Sequence, residues 1–305
     1  MFVDRCKTHV LGLLIALLNI QVAVAVEVHD SRGVQRFDQP PQRVVALNWG
    51  ATEELIELGV IPVGVADIRG YRDWVARPAL PERIADVGRR DEPSLERLVS
   101  LKPDLIIIGS QQRGLLEKLE SIAPVLYFDN YRADHNNVEA VEASFLTLAK
   151  VLRREPLARA RLSQRDQRLA ELAAQVQKHF DGIMPRVAVV RLGDATHVRV
   201  YGANSMVEAA LAALGLENAL PQPVTTWGQV QKKVTDLAAV GDGVLLYIEP
   251  FPQRDQLFGM PLWQFMPFVQ NQRLAAVNPV WTYGGALSIQ HLAEAITDAL
   301  LEIQP

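Results

Sequence analysis

The sequence predicts an α/β protein with two α/β lobes and a ligand cleft between them, bridged by one long rigid helix. Short apolar runs rich in β-branched residues alternate with helical patterns over residues 43–150, and the alternation resumes over 185–305. Between these stretches, no Gly or Pro interrupts residues 157–180, which is typical of one continuous helix. The two stretches follow the same order of elements, so we expect two lobes of similar plan. One large sheet with a helical insertion is the alternative.

The composition is that of an ordinary globular protein. The chain has 305 residues, of which 49% are hydrophobic and 22% are charged, and its formal net charge is −4. This length is enough for two domains with separate cores. Nucleic-acid binding usually leaves a strongly basic surface, so we expect no nucleic acid among the partners.

The first 25 residues predict a secretory signal peptide. Arg5 and Lys7 precede an almost wholly apolar run that ends in Ala23-Val24-Ala25, a small-x-small pattern. The run is short for a membrane span of about 20 residues, so we expect cleavage after Ala25, with an uncleaved membrane anchor as the alternative. Cys6, the single cysteine, lies in this segment, so the mature chain would contain neither a disulfide nor a thiolate metal site.

The first lobe is predicted over residues 43–150, after a polar lead-in over 27–42. DLIIIG is apolar throughout, as central strands of a parallel sheet usually are. The predicted elements are a strand at 43–48, a helix at 51–59, a strand at 63–66, a helix at 95–102 capped by Ser94, a strand at 104–109, a helix near 114–121 and a strand at 125–129.

A helical pattern covers residues 137–180 and breaks at Pro156, so its second part predicts the connecting helix, 155–180. The second lobe is predicted over residues 185–305. Its predicted elements are strands at 186–192 and 197–202, a helix from 205 that ends at Gly215, a short helix from Thr235 or Asp236, strands at 243–249 and 274–278, and a final helix at 286–301.

Signatures of catalysis and of tight metal binding are missing from the sequence. It contains no phosphate loop, GxGxxG, GxSxG or HExxH motif, and its histidines form no pair at helical ligand spacing. We therefore expect no enzyme activity, no metal ligated by the protein and no cofactor. Two other classes stay open: an extracytoplasmic α/β enzyme, which would need a paired nucleophile and base, and a structural or adaptor protein.

Candidate binding residues of the first lobe are aromatic residues and arginines. Tyr71 and Trp74 are expected in a loop. Trp49 is expected at a strand end, where core packing is the first expectation and a ligand position of α/β sheets is the alternative. Arg89 and Arg90 lie between a glycine and a helix. A planar guanidinium suits oxygen-rich organic ligands, although a solvated turn is the alternative for each arginine.

In the second lobe, Trp227 follows a proline-rich stretch, and Trp281 and Tyr283 precede Gly-Gly at a strand-to-helix turn. They are candidates for the wall of a binding site, although partly buried core is the alternative for any loop Trp. Trp263 lies in an amphipathic helical pattern, so we expect it to pack in the core.

The chain resembles the periplasmic siderophore-binding proteins of iron ABC importers, and among these the ferric hydroxamate (ferrichrome) binders. The resemblance covers about residues 43–300 in order and spacing. It implies the helical-backbone periplasmic binding protein fold and a shallow, aromatic-rich cleft. The matching stretches are RVVALNWGATEELIELGVIPVGVAD, YRDWV, DVGRRDEPSLERLVSLKPDL, YGANSM, the Trp-Gly of TTWGQV, MPLWQFMPFV and PVWTYGGALSIQHL.

This resemblance implies that Arg90 donates to the iron-bound hydroxamate oxygens. A hydrogen-bonding Tyr of the family falls here on Gln112, with Arg113 beside it. Gln can still donate through its amide, and a citrate-type hydroxamate, which is more negative than ferrichrome, would suit an extra Arg. The aromatic residues implied around the ligand are Trp49, Trp74, Trp227, Trp281 and Tyr283.

The resemblance also implies docking on an inner-membrane ABC permease through one acid from each lobe, here Glu96 and Asp236. Both begin helices, so helix capping is their alternative role. The ligand would be a ferric siderophore with its iron held inside the chelator, and the protein a periplasmic monomer. A cobalamin or haem binder of the same fold is the alternative function.

Overall fold

The computed structural model describes residues 25–305, so the predicted signal peptide lies outside the described residues except for Ala25. The described chain begins with an antiparallel hairpin of β1 (Val26–Asp30) and β2 (Gly33–Phe37). The sequence analysis assigns no strand to this polar lead-in, so the hairpin is an element that it does not predict. Val28 and Phe37 pack into the core of the first lobe. Two five-residue strands give too few alternations to stand out from their charged neighbours.

A five-stranded parallel sheet forms the first lobe, in the order β5-β4-β3-β6-β7. The strands are β3 (Val44–Ala46), β4 (Gly64–Val65), β5 (Ala85–Asp86), β6 (Leu105–Gly109) and β7 (Val125–Phe128).

The helices of this lobe flank the sheet. Helix α1 begins earlier than predicted because the Asn48 side chain accepts from the N–H groups of Gly50 and Ala51, an N-cap that the sequence prediction did not use. The helices are α1 (Trp49–Glu57), α2 (Ile68–Trp74), α3 (Leu95–Leu101), a 3-10 helix (Ser110–Leu115) and α4 (Leu116–Glu120).

Helices α5 (Asn137–Val151) and α6 (Glu155–His179) lie between the two lobes. The break between them falls just before Pro156, which occupies the first turn of α6, where no backbone N–H is needed. Helix α6 has 25 residues and is about 38 Å long.

Helix α6 packs against both cores. Leu162 belongs to the core of the first lobe, while Leu172 and Val176 belong to that of the second. Arg165 is buried as well, which its charge would not lead one to expect from the sequence. Its guanidinium donates to the carbonyl of Ala286 at 3.2 Å and so joins the helix to the second lobe.

The second sheet has the order β11-β9-β8-β12-β13, with β10 beside β8. Its parallel part, β8-β12-β13, repeats the plan of the first lobe, but β9 and β11 are antiparallel and have no counterpart there. The strands are β8 (Arg186–Leu192), β9 (His197–Tyr201), β10 (Glu217–Asn218), β11 (Gln229–Lys233), β12 (Val244–Ile248) and β13 (Leu274–Val277).

The helices of the second lobe complete the predicted fold class, which is confirmed: two α/β lobes with separate sheets and a long helix between them. Trp263 is buried against Phe258 and Phe268, as predicted. No helix within residues 25–305 is long and apolar enough to cross a membrane. The helices are α7 (Met206–Ala213), a 3-10 helix (Val234–Val240), α8 (Arg254–Phe258), α9 (Pro261–Gln264), α10 (Pro267–Gln270) and α11 (Ser288–Leu300).

Candidate ligand-binding cleft

A cavity of about 350 Å³ lies between the lobes, and residues of both lobes line it. On the first lobe it lies at the carboxyl ends of β3, β6 and β7, the edge where ligands of parallel α/β sheets usually bind. Four of the predicted site residues line this cavity: Arg90, Trp227, Trp281 and Tyr283.

The aromatic rings form one continuous chain across the lobes. Trp49 and Trp281 have ring centroids 4.7 Å apart, and Trp281 and Tyr283 have centroids 5.3 Å apart. Tyr283 then contacts both Trp227 and Tyr131, with centroids at 5.7 Å in each case. All four pairs meet edge to face, the arrangement that the charge distribution of aromatic rings favours.

Arg90 lies over this aromatic surface. Its guanidinium carbon is 3.6 Å from the ring centroid of Trp49 and 5.4 Å from that of Trp281. Burial lowers the pKa of Arg90 from its ordinary value, while the carboxylate of Asp67, at 3.8 Å, opposes that shift. The side chain stays charged at neutral pH because the ordinary pKa of arginine lies above 12. The cleft therefore presents a cation on an aromatic support.

Gln112 lies behind Arg90 and does not face the cavity. Its side chain is fully buried; its amide nitrogen donates to the carbonyl of Arg90 at 2.8 Å, and its Oε1 accepts from the N–H of Gly109 at 3.0 Å. The structure therefore does not support the expected ligand contact of Gln112, and its geometry is that of a support for the Arg90 loop. Arg113 lines a separate cavity beside Tyr127, so it does not replace the family Tyr either.

Two predicted aromatic residues, Trp49 and Trp74, do not line the cavity, and Trp49 lies directly beneath the lining residues Arg90 and Trp281. Trp49 is buried as the first residue of α1, and its indole N–H donates to the carbonyl of Ala66 at 3.1 Å. Trp74 is half-buried and ends α2, so the prediction of a loop there is wrong. The guanidinium of Arg191 lies 5.0 Å from the Trp74 ring and links the second lobe to the first. The short helix escaped prediction because Gly70 interrupts its pattern.

Two buried glutamates of α1 support the floor of the cleft. Glu53 accepts from the N–H of Gly285 at 2.8 Å and from the hydroxyl of Ser288 at 2.5 Å. Burial raises the pKa of Glu53 to about 8. Burial, together with the charge of Glu53, also raises the pKa of Glu54 well above its ordinary range. The sequence prediction missed both, since nothing in an amphipathic helix pattern separates a buried glutamate from a solvated one.

The Gly-Gly after Tyr283 permits the close approach of the lobes. A Cβ at Gly284 would lie 1.9 Å from the Ser288 hydroxyl and 2.2 Å from Glu53 Oε2. A Cβ at Gly285 would lie 2.4 Å from Cγ of Glu54. Only glycine leaves room for the two buried carboxyl groups here.

Tyr131 is a cavity residue that the sequence prediction missed. It follows β7, and its hydroxyl donates to the carbonyl of Gly284 at 2.6 Å, across the lobes. Its position just beyond a parallel strand was the available signal, because such positions border the ligand edge of a sheet.

The two predicted docking acids are exposed, one on each lobe. Glu96 lies in the first turn of α3, where its carboxylate accepts from the Ser94 hydroxyl at 3.1 Å. Asp236 lies in the first turn of the 3-10 helix and accepts from the N–H of Lys233 at 3.1 Å. Both therefore stabilise helix starts, and both leave carboxylate surface open to a partner.

Within residues 25–305, no group of three or more His, Cys, Asp or Glu side chains could hold a metal ion. The arrangement can instead hold a ligand between aromatic walls and donate hydrogen bonds to it. Two α/β lobes joined by a long helix, with such a cleft between them, define the class of two-lobed solute-binding proteins.

A family model described as periplasmic binding protein matches residues 44–279, and the chain belongs to that family. It is 33% identical over 262 residues to the iron(3+)-hydroxamate-binding protein FhuD of Escherichia coli (strain K12), covering 85% of this chain and 87% of FhuD. It is 30% identical to the Fe(3+) dicitrate-binding periplasmic protein FecB of the same organism, covering 86% and 85% of the two chains.

The fold is also similar to that of a siderophore-binding protein of known structure. FhuD from Vibrio cholerae, with Fe³⁺-Desferal bound, superposes with a TM-score of 0.85 at 41% identity, covering 87% of this chain and 99% of that one. The predicted resemblance to the siderophore-binding family is thereby confirmed.

Proposed function

We propose that this protein captures a ferric hydroxamate siderophore in the periplasm and delivers it to an ABC permease of the inner membrane, without catalysis. The observation that carries the proposal is Arg90, held over Trp49 at the edge of a cavity with aromatic walls from both lobes. The two FhuD relatives support the hydroxamate class, since their names state what they bind.

The geometry suits a ligand that brings its own metal coordination. Iron-bound hydroxamate oxygens carry negative charge, and a guanidinium donates charge-assisted hydrogen bonds to such oxygens. The iron is cargo inside the chelator, so it needs no His, Cys or carboxylate of the protein. Trp281, Tyr283 and Trp227 would cover the apolar parts of the ligand.

Titration of tryptophan fluorescence tests the proposal. Purified mature protein is mixed with ferrichrome, ferrioxamine, ferric schizokinen and ferric aerobactin, and with the iron-free chelators as controls. We expect at least one ferric complex to quench the emission saturably, because three Trp residues lie in or directly beneath the cavity lining. Absence of saturable binding with all four ferric complexes, by quenching and by calorimetry, would refute the function.

We also propose that the protein acts as a monomer and docks on the permease through Glu96 and Asp236. The support is their exposure, one acid on each lobe. Reversing both charges (Glu96→Arg with Asp236→Arg) should abolish siderophore uptake in cells and leave ligand affinity unchanged, since like charges would then face each other across the interface. Glu217→Arg, an exposed site on β10, is the matched control. Normal uptake by the double variant would reject the docking assignment.

A further inference from the structure

Two arginines stand directly opposite each other in the second sheet. Arg191 on β8 and Arg199 on β9 are register partners in an antiparallel pair. Side chains at partner positions share one face of a sheet, and like charges placed this way destabilise it. No carboxylate within residues 25–305 forms an ion pair with either of them. Fold stability does not account for two uncompensated cations on one face of the sheet, so a role in ligand binding is the alternative explanation.

The two arginines have different surroundings. Arg191 is buried; it donates to the carbonyl of Val280 at 2.9 Å, and its guanidinium lies over Trp74. Its contacts are therefore internal, and it joins the lobes. Arg199 is exposed and lines the ligand cavity. Its side chain is available to a ligand.

Both arginines act electrostatically on Tyr283, one of the aromatic residues that line the cavity. Burial raises the pKa of Tyr283, and the charges of Arg199 and Arg191 oppose that rise, so both guanidinium groups act on a residue that lines the cavity. Arg90 supplies a third cation from the other lobe. The electrostatic field in the cleft is therefore positive from two sides.

Acids do not neutralise this field inside the cavity. Glu54 is the one carboxyl among the described residues that line it, and its burial raises its pKa well above the ordinary range, which disfavours the charged form. Asp67 faces Arg90 at 3.8 Å, in the first lobe, and so offsets the charge of Arg90 rather than that of Arg199. Arg199 therefore keeps a charge without an ion-pair partner among the described residues, on a side chain that stays open to a ligand.

We propose that the cleft selects ferric hydroxamates that carry a free carboxylate, and that Arg199 is the specificity residue that meets this carboxylate while Arg90 meets the iron-bound oxygens. This rests on the proposed function and narrows its ligand class. A neutral trihydroxamate complex would leave Arg199 without a partner, whereas a carboxylate matches the guanidinium fork. The sequence suggests Arg113, beside Gln112, as the extra arginine for a citrate-type hydroxamate. In this proposal Arg199 has that role instead.

Affinity measurements with two probes test the selection. Ferric aerobactin, a citrate-based hydroxamate with free carboxylates, is compared with ferrioxamine E, an uncharged cyclic ferric trihydroxamate. We expect the wild-type protein to bind ferric aerobactin at least about tenfold more tightly, and raised salt to weaken that complex more than the neutral one. Affinities for the two probes within about threefold of each other at low salt would overturn the proposal.

The Arg199→Gln variant distinguishes a specific contact between Arg199 and the ligand carboxylate from a general loss of ligand binding. The substitution should lower the affinity for ferric aerobactin by about tenfold or more, as expected for a lost hydrogen bond to a charged group. The affinity for ferrioxamine E should change by less than about threefold. Arg186→Gln, on β8 away from the cavity, is the control and should change neither. Equal losses for both probes in Arg199→Gln would reject Arg199 as the specificity residue. If neither probe binds the wild-type protein, the proposed function itself is in question.

Discussion

Arg90 and its neighbour Arg89 share one loop but not one environment. Arg89 is exposed and pairs with Asp91 at 2.7 Å, whereas Arg90 lies on the Trp49 ring at the cavity. Arg90→Ala should weaken ferric hydroxamate binding by about 1.5–3 kcal/mol, as for a hydrogen bond to a charged group. Arg89→Ala is the matched control and should bind normally, with both affinities measured by calorimetry. An Arg90→Ala affinity within twofold of wild type would remove this residue from the site.

Glu53 makes stability depend on pH in a defined direction. Its folded pKa is raised from 4.5 to about 8, so the folded state holds its proton more tightly than the unfolded state does. This favours folding below pH 4.5, and the advantage declines as the pH rises towards 8, by at most about 1.4 kcal/mol per unit.

Glu53→Gln should remove that dependence. The free energy of unfolding of the variant, relative to wild type, should increase between pH 5 and pH 8 in denaturant titrations, because Gln has no proton to lose. His291 has a pKa lowered by burial and acts in the opposite direction, but it is present in both proteins and cancels in the difference. Glu54 does not cancel, because the charge of Glu53 helps to raise its pKa; without that charge Glu54 loses less stability as the pH rises, which adds to the expected increase. Exposed Glu217→Gln is the control. A difference that stays constant over this range would contradict the assignment.

At the scale of one element, the turn before α11 carries a further prediction. Gly284→Ala would place a Cβ against Ser288 and Glu53, and relief needs movement of the turn. We expect a loss of about 1–3 kcal/mol in unfolding free energy, typical of overpacking, and weaker ligand binding because Trp281 and Tyr283 lie in the same turn. Gly114→Ala, whose Cβ would meet nothing within 4 Å, should be neutral. Equal stability of both variants in thermal melts would contradict this reading.

The elements with long, regular patterns were predictable, and the short ones were not. Helix α6 has 25 residues, and the uninterrupted stretch after Pro156 predicts it, whereas no pattern in the sequence predicts the β1–β2 hairpin, α2 or β11. At the cleft, the loop aromatics and Arg90 could be chosen by residue type and resemblance. Burial of Glu53 and Gln112 could not, because it depends on contacts between parts of the chain that are distant in sequence.

For the whole molecule, the joined lobes predict little movement on ligand binding. Helix α6 spans both cores, and beyond Pro156 in its first turn it has no Gly or Pro, so bending it would break backbone hydrogen bonds with nothing to absorb the change. Contacts such as Tyr131 to Gly284 and Arg165 to Ala286 add further links. Solution scattering with and without ligand should give a radius of gyration near 19 Å in both states. A decrease of more than about 1 Å would reveal a hinge.

The contact between Trp49 and Trp281 has an optical consequence. Their indole rings come from opposite lobes, with centroids 4.7 Å apart and planes at 71°. Transition dipoles at this separation couple, and a skewed pair of identical chromophores gives a two-signed exciton band in circular dichroism. The amplitude of that band depends steeply on distance and angle. The exciton band therefore reports the spacing of the two lobes without an added label. It should disappear when either indole is replaced by phenylalanine.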